Sequence, residues 1–290
     1  MKHIISHVLC VCSLVLGVSG AWAAPHSPDT SSAALSRVVK QGHYDLLVGD
    51  FSAMAEEMIH HALAKGYYIP IDQRRRLLVT IRNQLGPEIL TNRLLSRMEK
   101  FSDNNSVVRV VEWYQSPEGK QVLAAIDQAH QPGAERRQKA IAKALRADAG
   151  LMSWWQNLDS RFPYTQYWLA QRQSIIYQGV THLAAVMEPH TPFNQNQFRE
   201  ALELATFDLR ADVDSQWQLR FLDSVRNLAV TERVRYQKFS LSSAHLAFLK
   251  LIAEQTEVVV DNATAELKLL LSDLVLPKQP ENPEPSEPTL

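Results

Sequence analysis

The chain has 290 residues, 46% of them hydrophobic and 21% charged, with a formal net charge of -1 at pH 7. That is long and apolar enough for at least one full core, which excludes a disordered, collagen-like or small disulfide-held protein. Only 10 residues are glycine, too few for the turns of a β-rich fold, so an all-α, multi-helix bundle is expected, and the near-neutral balance gives no steering toward nucleic acid.

Residues 1–23 have the three parts of a secretory signal peptide: the positive start Met1-Lys2-His3, the apolar run 8–18, and the small-x-small site Ala21-Trp22-Ala23. The apolar run is too short to span a bilayer, which takes about 20 residues. Cleavage after Ala23 is expected to remove both cysteines, Cys10 and Cys12, and to leave a mature chain that is soluble, unlipidated and thiol-free. Lys2 is the only charged residue in the segment, so the mature net charge is one unit more negative.

Residues 24–37, rich in Ser, Pro and Thr, read as a flexible leader. A first helical half follows over 38–150. Leu47, Phe51, Met54 and Met58 share one helical face, and Ile81 and Leu85 another. Gly86-Pro87 joins a helix stop to a helix start, with glycine free to close in the left-handed region and proline suited to the first turn. Helices are expected at about 43–65, 72–85, 87–101, 105–114 and 117–130.

Six of the chain's aromatic residues, Trp154, Trp155, Phe162, Tyr164, Tyr167 and Trp168, crowd the start of the second half, 151–276. They read as rings joining one half to the other, in preference to an aromatic-lined groove for an apolar ligand, sugar or peptide. Residues 193–276 contain neither glycine nor proline, which nearly forces helices there. Phe198, Leu202, Ala205 and Leu209 form one stripe, and Leu249, Ile252, Val259 and Ala263 another. Helices are expected near 165–187, 193–213, 215–228 and 231–239, with a last one from Ser242. Breaks fall at Asp212 to Ser215, Asn227 to Thr231 and Ser240 to Ser243, each offering an N-cap oxygen. Residues 277–290, with five prolines among acidic residues, read as a disordered acidic tail.

The order of five helices with a short fourth recurs in both halves. A shift of 125 residues aligns Tyr114 with Phe239, Pro117 with Ser242, Gly119 with Ala244 and Ile126 with Leu251, so the second half is read as a diverged repeat of the first.

The most informative string is Trp113-Tyr114-Gln115-Ser116-Pro117-Glu118-Gly119-Lys120. Physically it is a helix ending in aromatics, a Ser cap, a Pro in the next first turn, and a Gly where helices approach closely. It resembles the core motif of a secreted bacterial family, domain-of-unknown-function family 2059, with Trp113 and Tyr114 at the aromatic pair and Ser116, Pro117, Gly119 and Lys120 at the positions that follow. The resemblance covers about residues 45–130. It implies an exported, all-helical protein of the Gram-negative periplasm and carries no established activity. As a helix corner the motif needs no ligand.

Signals for chemistry are weak. Glu56, Glu57, His60 and His61 include the Glu-x-x-His spacing of di-metal helical bundles, but the second Glu-x-x-His those sites require is missing. His182 and His190 flank Glu188 at a spacing that gives no zinc site. There is no Gly-x-Ser-x-Gly elbow and no phosphate-loop or dinucleotide fingerprint. Arg74 to Arg76 and the set Arg136, Arg137, Lys139, Lys143 and Arg146 read as solvated helix faces, with a grip on acidic lipid or glycan the alternative. The sequence therefore points to a non-catalytic binding or scaffold protein of the cell envelope, without cofactor or metal, whose partner is an envelope protein, lipid or glycan. A carrier of a small apolar ligand between the halves is the second reading, and an enzyme without a recognisable motif the third.

Overall fold

A computed structural model describes residues 31–64, 71–187 and 217–272, together with the isolated positions 196 and 200. The expected signal segment, the acidic tail and the 193–213 helix lie outside the described residues, apart from those two positions. Every regular element described is helical. The helices are α1 (Ser31–Gln41), α2 (Leu46–Ala64), α3 (Ile71–Leu85), α4 (Pro87–Met98), α5 (Asn105–Gln115), α6 (Pro117–His130), α7 (Ala134–Ala147), α8 (Ala149–Arg161) and α9 (Tyr164–Met187). They continue with α10 (217–225), α11 (Val230–Ser240) and α12 (Ser243–Ser272). Glu99–Phe101 is a single 3-10 turn closing α4. The all-α bundle read from the glycine-poor composition is the fold.

Two sequence readings change. The stretch read as a flexible leader is helical from Ser31, because Ala34, Leu35, Val38 and Val39 make one apolar stripe, and all four are buried in the core. Gly86 does not enter the left-handed region. Its φ is -61°, and glycine suits the position because a Cβ there would lie 2.4 Å from the Arg82 carbonyl oxygen. Two helices that periodicity did not pick out, α7 and α8, fill 134–161.

The 30-residue α12, about 45 Å long at 1.5 Å per residue, is the central shaft. It packs against α9 on one side and against α5, α4 and α2 on others, while α9 also lies on α2. Its inward stripe, Phe248, Ile252, Val259, Val260, Ala263 and Leu267, is almost wholly buried. The buried cluster runs without a break from Leu35 to Leu267, so the two sequence halves share one core. Among the described residues no helix is long and apolar enough to cross a membrane.

The α5–α6 corner shows why its sequence is so constrained. Ser116 Oγ accepts the Gly119 N–H at 3.0 Å and donates to the Trp113 carbonyl at 2.6 Å, tying the end of one helix to the start of the next. Proline fills the first helical position, where its missing N–H costs nothing. At the α11–α12 corner Ser242 Oγ accepts the His245 N–H at 3.3 Å. The α11 start uses no side-chain cap from 227–231; instead Glu232 accepts the Ala229 N–H at 2.7 Å. The two corners meet: Trp113 stacks on Phe239 with ring centroids 3.8 Å apart, and Tyr114 meets Phe239 edge-on at 5.3 Å.

Candidate functional site

The tight turn between α1 and α2 starts the site. His43 takes a left-handed φ of 54°, a conformation that non-glycine residues hold only when their surroundings enforce it. The turn buries both His43 and Tyr44.

Tyr44 enters a buried hydrogen-bonded chain. Its hydroxyl lies 3.0 Å from that of Tyr114 and 2.9 Å from His245 Nε2. His245 Nδ1 is 3.0 Å from the Ser240 carbonyl oxygen, which also accepts from the Tyr164 hydroxyl at 2.7 Å. Burial pulls the His245 pKa down to about 4, so the ring is neutral. A carbonyl only accepts, so Nδ1 carries the proton, Nε2 accepts from Tyr44, and Tyr44 accepts from Tyr114. Burial also pushes the Tyr44, Tyr114 and Tyr164 phenols well up. The chain is thus a neutral latch joining both halves.

A second polar group lies beside it. His43 and His130 stack with centroids 4.1 Å apart and planes 20° apart. His43 Nε2 is 3.3 Å from Asp127 Oδ1, and desolvation lowers the His43 pKa against the pull of Asp45 and Asp127. His130 Nδ1 donates to the Ile126 carbonyl at 2.9 Å. Its pKa falls to about 3, first through burial and then through His43 and Arg220. His130 is therefore neutral, and its Nε2 lone pair has no hydrogen-bond partner among the described residues.

Arg220 completes the group. It is 5% exposed, with its guanidinium 5.7 Å from the Trp217 ring centroid. Burial lowers its pKa while Asp50 and Glu135 raise it. Asp50 pairs with Arg172 at 3.2 Å, both side chains nearly buried, and burial raises the Asp50 carboxyl against these two arginines.

His130 and Arg220 belong to the walls of two cavities. The inner one, about 60 Å³, also touches His43, Tyr44, Tyr164 and Trp168. The outer one, about 350 Å³, is walled by the α6–α7 turn and the first turn of α7, with Gln131, Gly133, Glu135 and Arg136. The inner volume holds a water or two; the outer reaches the lower end of small-molecule sites, about 300–1,000 Å³. Among the described residues, the cavity at the aromatic junction is the smaller of these two.

The clustered rings serve packing. Trp154 Nε1 donates to the Arg233 carbonyl at 3.0 Å, Trp155 lies against Phe221, Trp168 stacks on Trp217 at 5.5 Å, and the Tyr167 hydroxyl donates to the Leu249 carbonyl at 2.7 Å. Tyr164 and Trp168 alone of this set reach the inner cavity. In the corner motif Tyr114 and Gly119 are buried and Lys120 is exposed. Glu56 is spent on a two-point pair with Arg82, at 3.1 and 3.2 Å, and His60 is exposed. The side chains of Glu57, His61 and His182, and residues Glu188 and His190, lie outside the described residues. Among the described residues no group of three potential ligands could hold a metal ion. Arg75 and Arg76 are exposed, Arg137 pairs with the buried Asp223 at 3.0 Å, and the Arg74 side chain is outside the described residues.

The residues that make the site, His43, Asp50, His130, Arg172, Arg220 and His245, were not picked out by motif. One local signal marks three of them. Asp50 stands three after Leu47 and four before Met54, Arg172 four after Trp168 and three before Ile175, and His245 three before Phe248, all within apolar stripes. No family model matches the chain, and neither a curated protein nor a solved structure is found to match it.

Proposed function

We propose that the chain is an exported, non-catalytic binding protein of the cell envelope, and that it holds a small hydroxylated anion in the cavity at the α6–α7 turn. The observation that carries this reading is the joint presence of Arg220 and His130 in the wall of a cavity of about 350 Å³. A buried guanidinium matches a carboxylate or phosphate. A neutral imidazole with an available lone pair accepts from a hydroxyl. With its pKa near 3, His130 is a weak general base at neutral pH, which favours holding a ligand over transforming it. The export pattern of residues 1–23 supports the compartment, and a periplasmic setting follows from the resemblance of the corner motif.

Titration calorimetry with malate, inorganic phosphate and glucose tests the reading. Malate is expected to bind more tightly than phosphate, with no heat from glucose. His130→Ala and Arg136→Gln are each expected to weaken malate at least about ten-fold, since a lost hydrogen bond to a charged or buried partner costs about 1.5–3 kcal/mol. Equal binding of glucose, or malate binding unaffected by both substitutions, overturns it.

A further inference from the structure

The outer face of α7 has a composition unlike the rest of this near-neutral chain. Arg136, Lys139, Lys143 and Arg146 are all exposed. At 100° per residue they fall within an arc of about 80°, on a strip about 15 Å long. Beside them the exposed positions are Ala140, Ala144 and Ala147, so no bulky side chain stands between the cations and a flat partner. Glu135 is the helix's one acidic residue, and it bridges Lys139 at 2.6 Å. α7 lies at the edge of the bundle, packing on α6 and α8, and its buried positions Ala134, Gln138 and Leu145 all face inward.

We propose that this strip is the surface by which the protein lies on an anionic phospholipid membrane. A shallow, straight row of cations on a rim helix can approach a planar layer of phosphates along its whole length. A helix this short, with alanine rather than large apolar residues beside its cations, has no means of inserting. Attraction is therefore electrostatic: it needs anionic lipid, adds per cation, and weakens as salt shortens the screening length. Arg136 also lines the cavity, but Lys139, Lys143 and Arg146 take no part in that wall, so the strip and the cavity can be tested apart.

The test is co-sedimentation of the purified mature protein with vesicles of phosphatidylglycerol and phosphatidylcholine at 3:7, and of phosphatidylcholine alone, at low salt. Binding to the first and not the second is expected. Each cation near an anionic surface contributes about a five-fold factor. The triple variant Lys139→Gln/Lys143→Gln/Arg146→Gln should therefore bind about a hundred-fold more weakly while melting as the parent does. Glu135→Gln should bind more tightly. Equal binding to both vesicle types, or a triple variant that binds as the parent does, overturns the proposal. So does soluble polyphosphate that competes at equal phosphate concentration, which would make the strip a site for dissolved polyanions. Malate affinity measured on the same triple variant is expected to stay unchanged, so a failure here and a failure of the cavity reading are told apart.

Discussion

A methyl group added at position 119 gives the sharpest test of the corner that joins α5 to α6. A Cβ on Gly119 would stand 1.9 Å from the Trp113 carbonyl oxygen and 2.7 Å from the Tyr114 Cα. Such contacts rarely fall below about 3 Å, so the last turn of α5 and the first of α6 must part by about 1 Å, and both atoms in the way are backbone. Overpacking of this kind costs about 1–3 kcal/mol. Parting the helices also breaks the Ser116 cap, worth about 1 kcal/mol. Against this, alanine gains up to about 1 kcal/mol in helix propensity over glycine. The net is a loss of about 1–3 kcal/mol, or roughly 2–6 °C in Tm at about 2 °C per kcal/mol for a chain of this size. Ser116→Ala, which removes the cap and leaves the packing, should lose about 1 kcal/mol. Thermal and urea unfolding of the two variants measure both. A Gly119→Ala protein that melts at or above the parent temperature would refute the close approach and, with it, the structural account of the motif.

Two further outcomes follow from the buried polar groups. His245 is held neutral, with its folded pKa near 4 below an unfolded value of about 6.5, so its contribution is fully present above pH 6.5 and is lost as pH falls toward 4. Between pH 7 and 5 the loss attributable to this ring is about 2 kcal/mol. Urea unfolding of His245→Gln should show a shallower fall over that range than the parent, and parallel profiles would contradict the burial of the latch. Arg172→Met leaves the Asp50 carboxylate without its close partner and should destabilise by about 3–5 kcal/mol. Chemical denaturation reads this directly, and a change below about 1 kcal/mol would show that the pair is more hydrated than its burial implies.

Much of the bundle is local in origin. Helix α6 begins where a serine oxygen meets a proline, and α12 begins just after the Ser242 cap; both are visible within a few residues, because capping and helical periodicity act over one or two turns. The shortage of glycine removed sheets from consideration for the same kind of reason. Where local reading failed, competing tertiary terms decided. Ser31 to Arg37 looks like a leader by composition, yet Leu35 gains a core to fill, and burial of that stripe outweighs the weak local signal. Helix α7 has only Ile141 and Leu145 as large apolar residues, and α8 mixes its aromatics with polar residues, so a search for apolar stripes passes both over.

The site is the reverse case. His43, His130 and Arg220 come from α-helical connections and helices far apart in the chain, and no spacing rule links them. Only the packing of α12 against both halves brings α1, α6 and α10 round one cavity. Sequence patterns also place Trp154, Trp155, Tyr164, Tyr167 and Trp168 at a junction, but whether such rings line a groove or fill one depends on what lies opposite. Here Tyr236, Phe221 and Trp217 do, and these rings leave a small cavity of about 60 Å³ between them. Local hydrogen bonds and hydrophobic period were enough to determine most of the helices, α1, α7 and α8 excepted, while cavity, latch and ion pair arise from contacts whose energy exists only once the chain has packed.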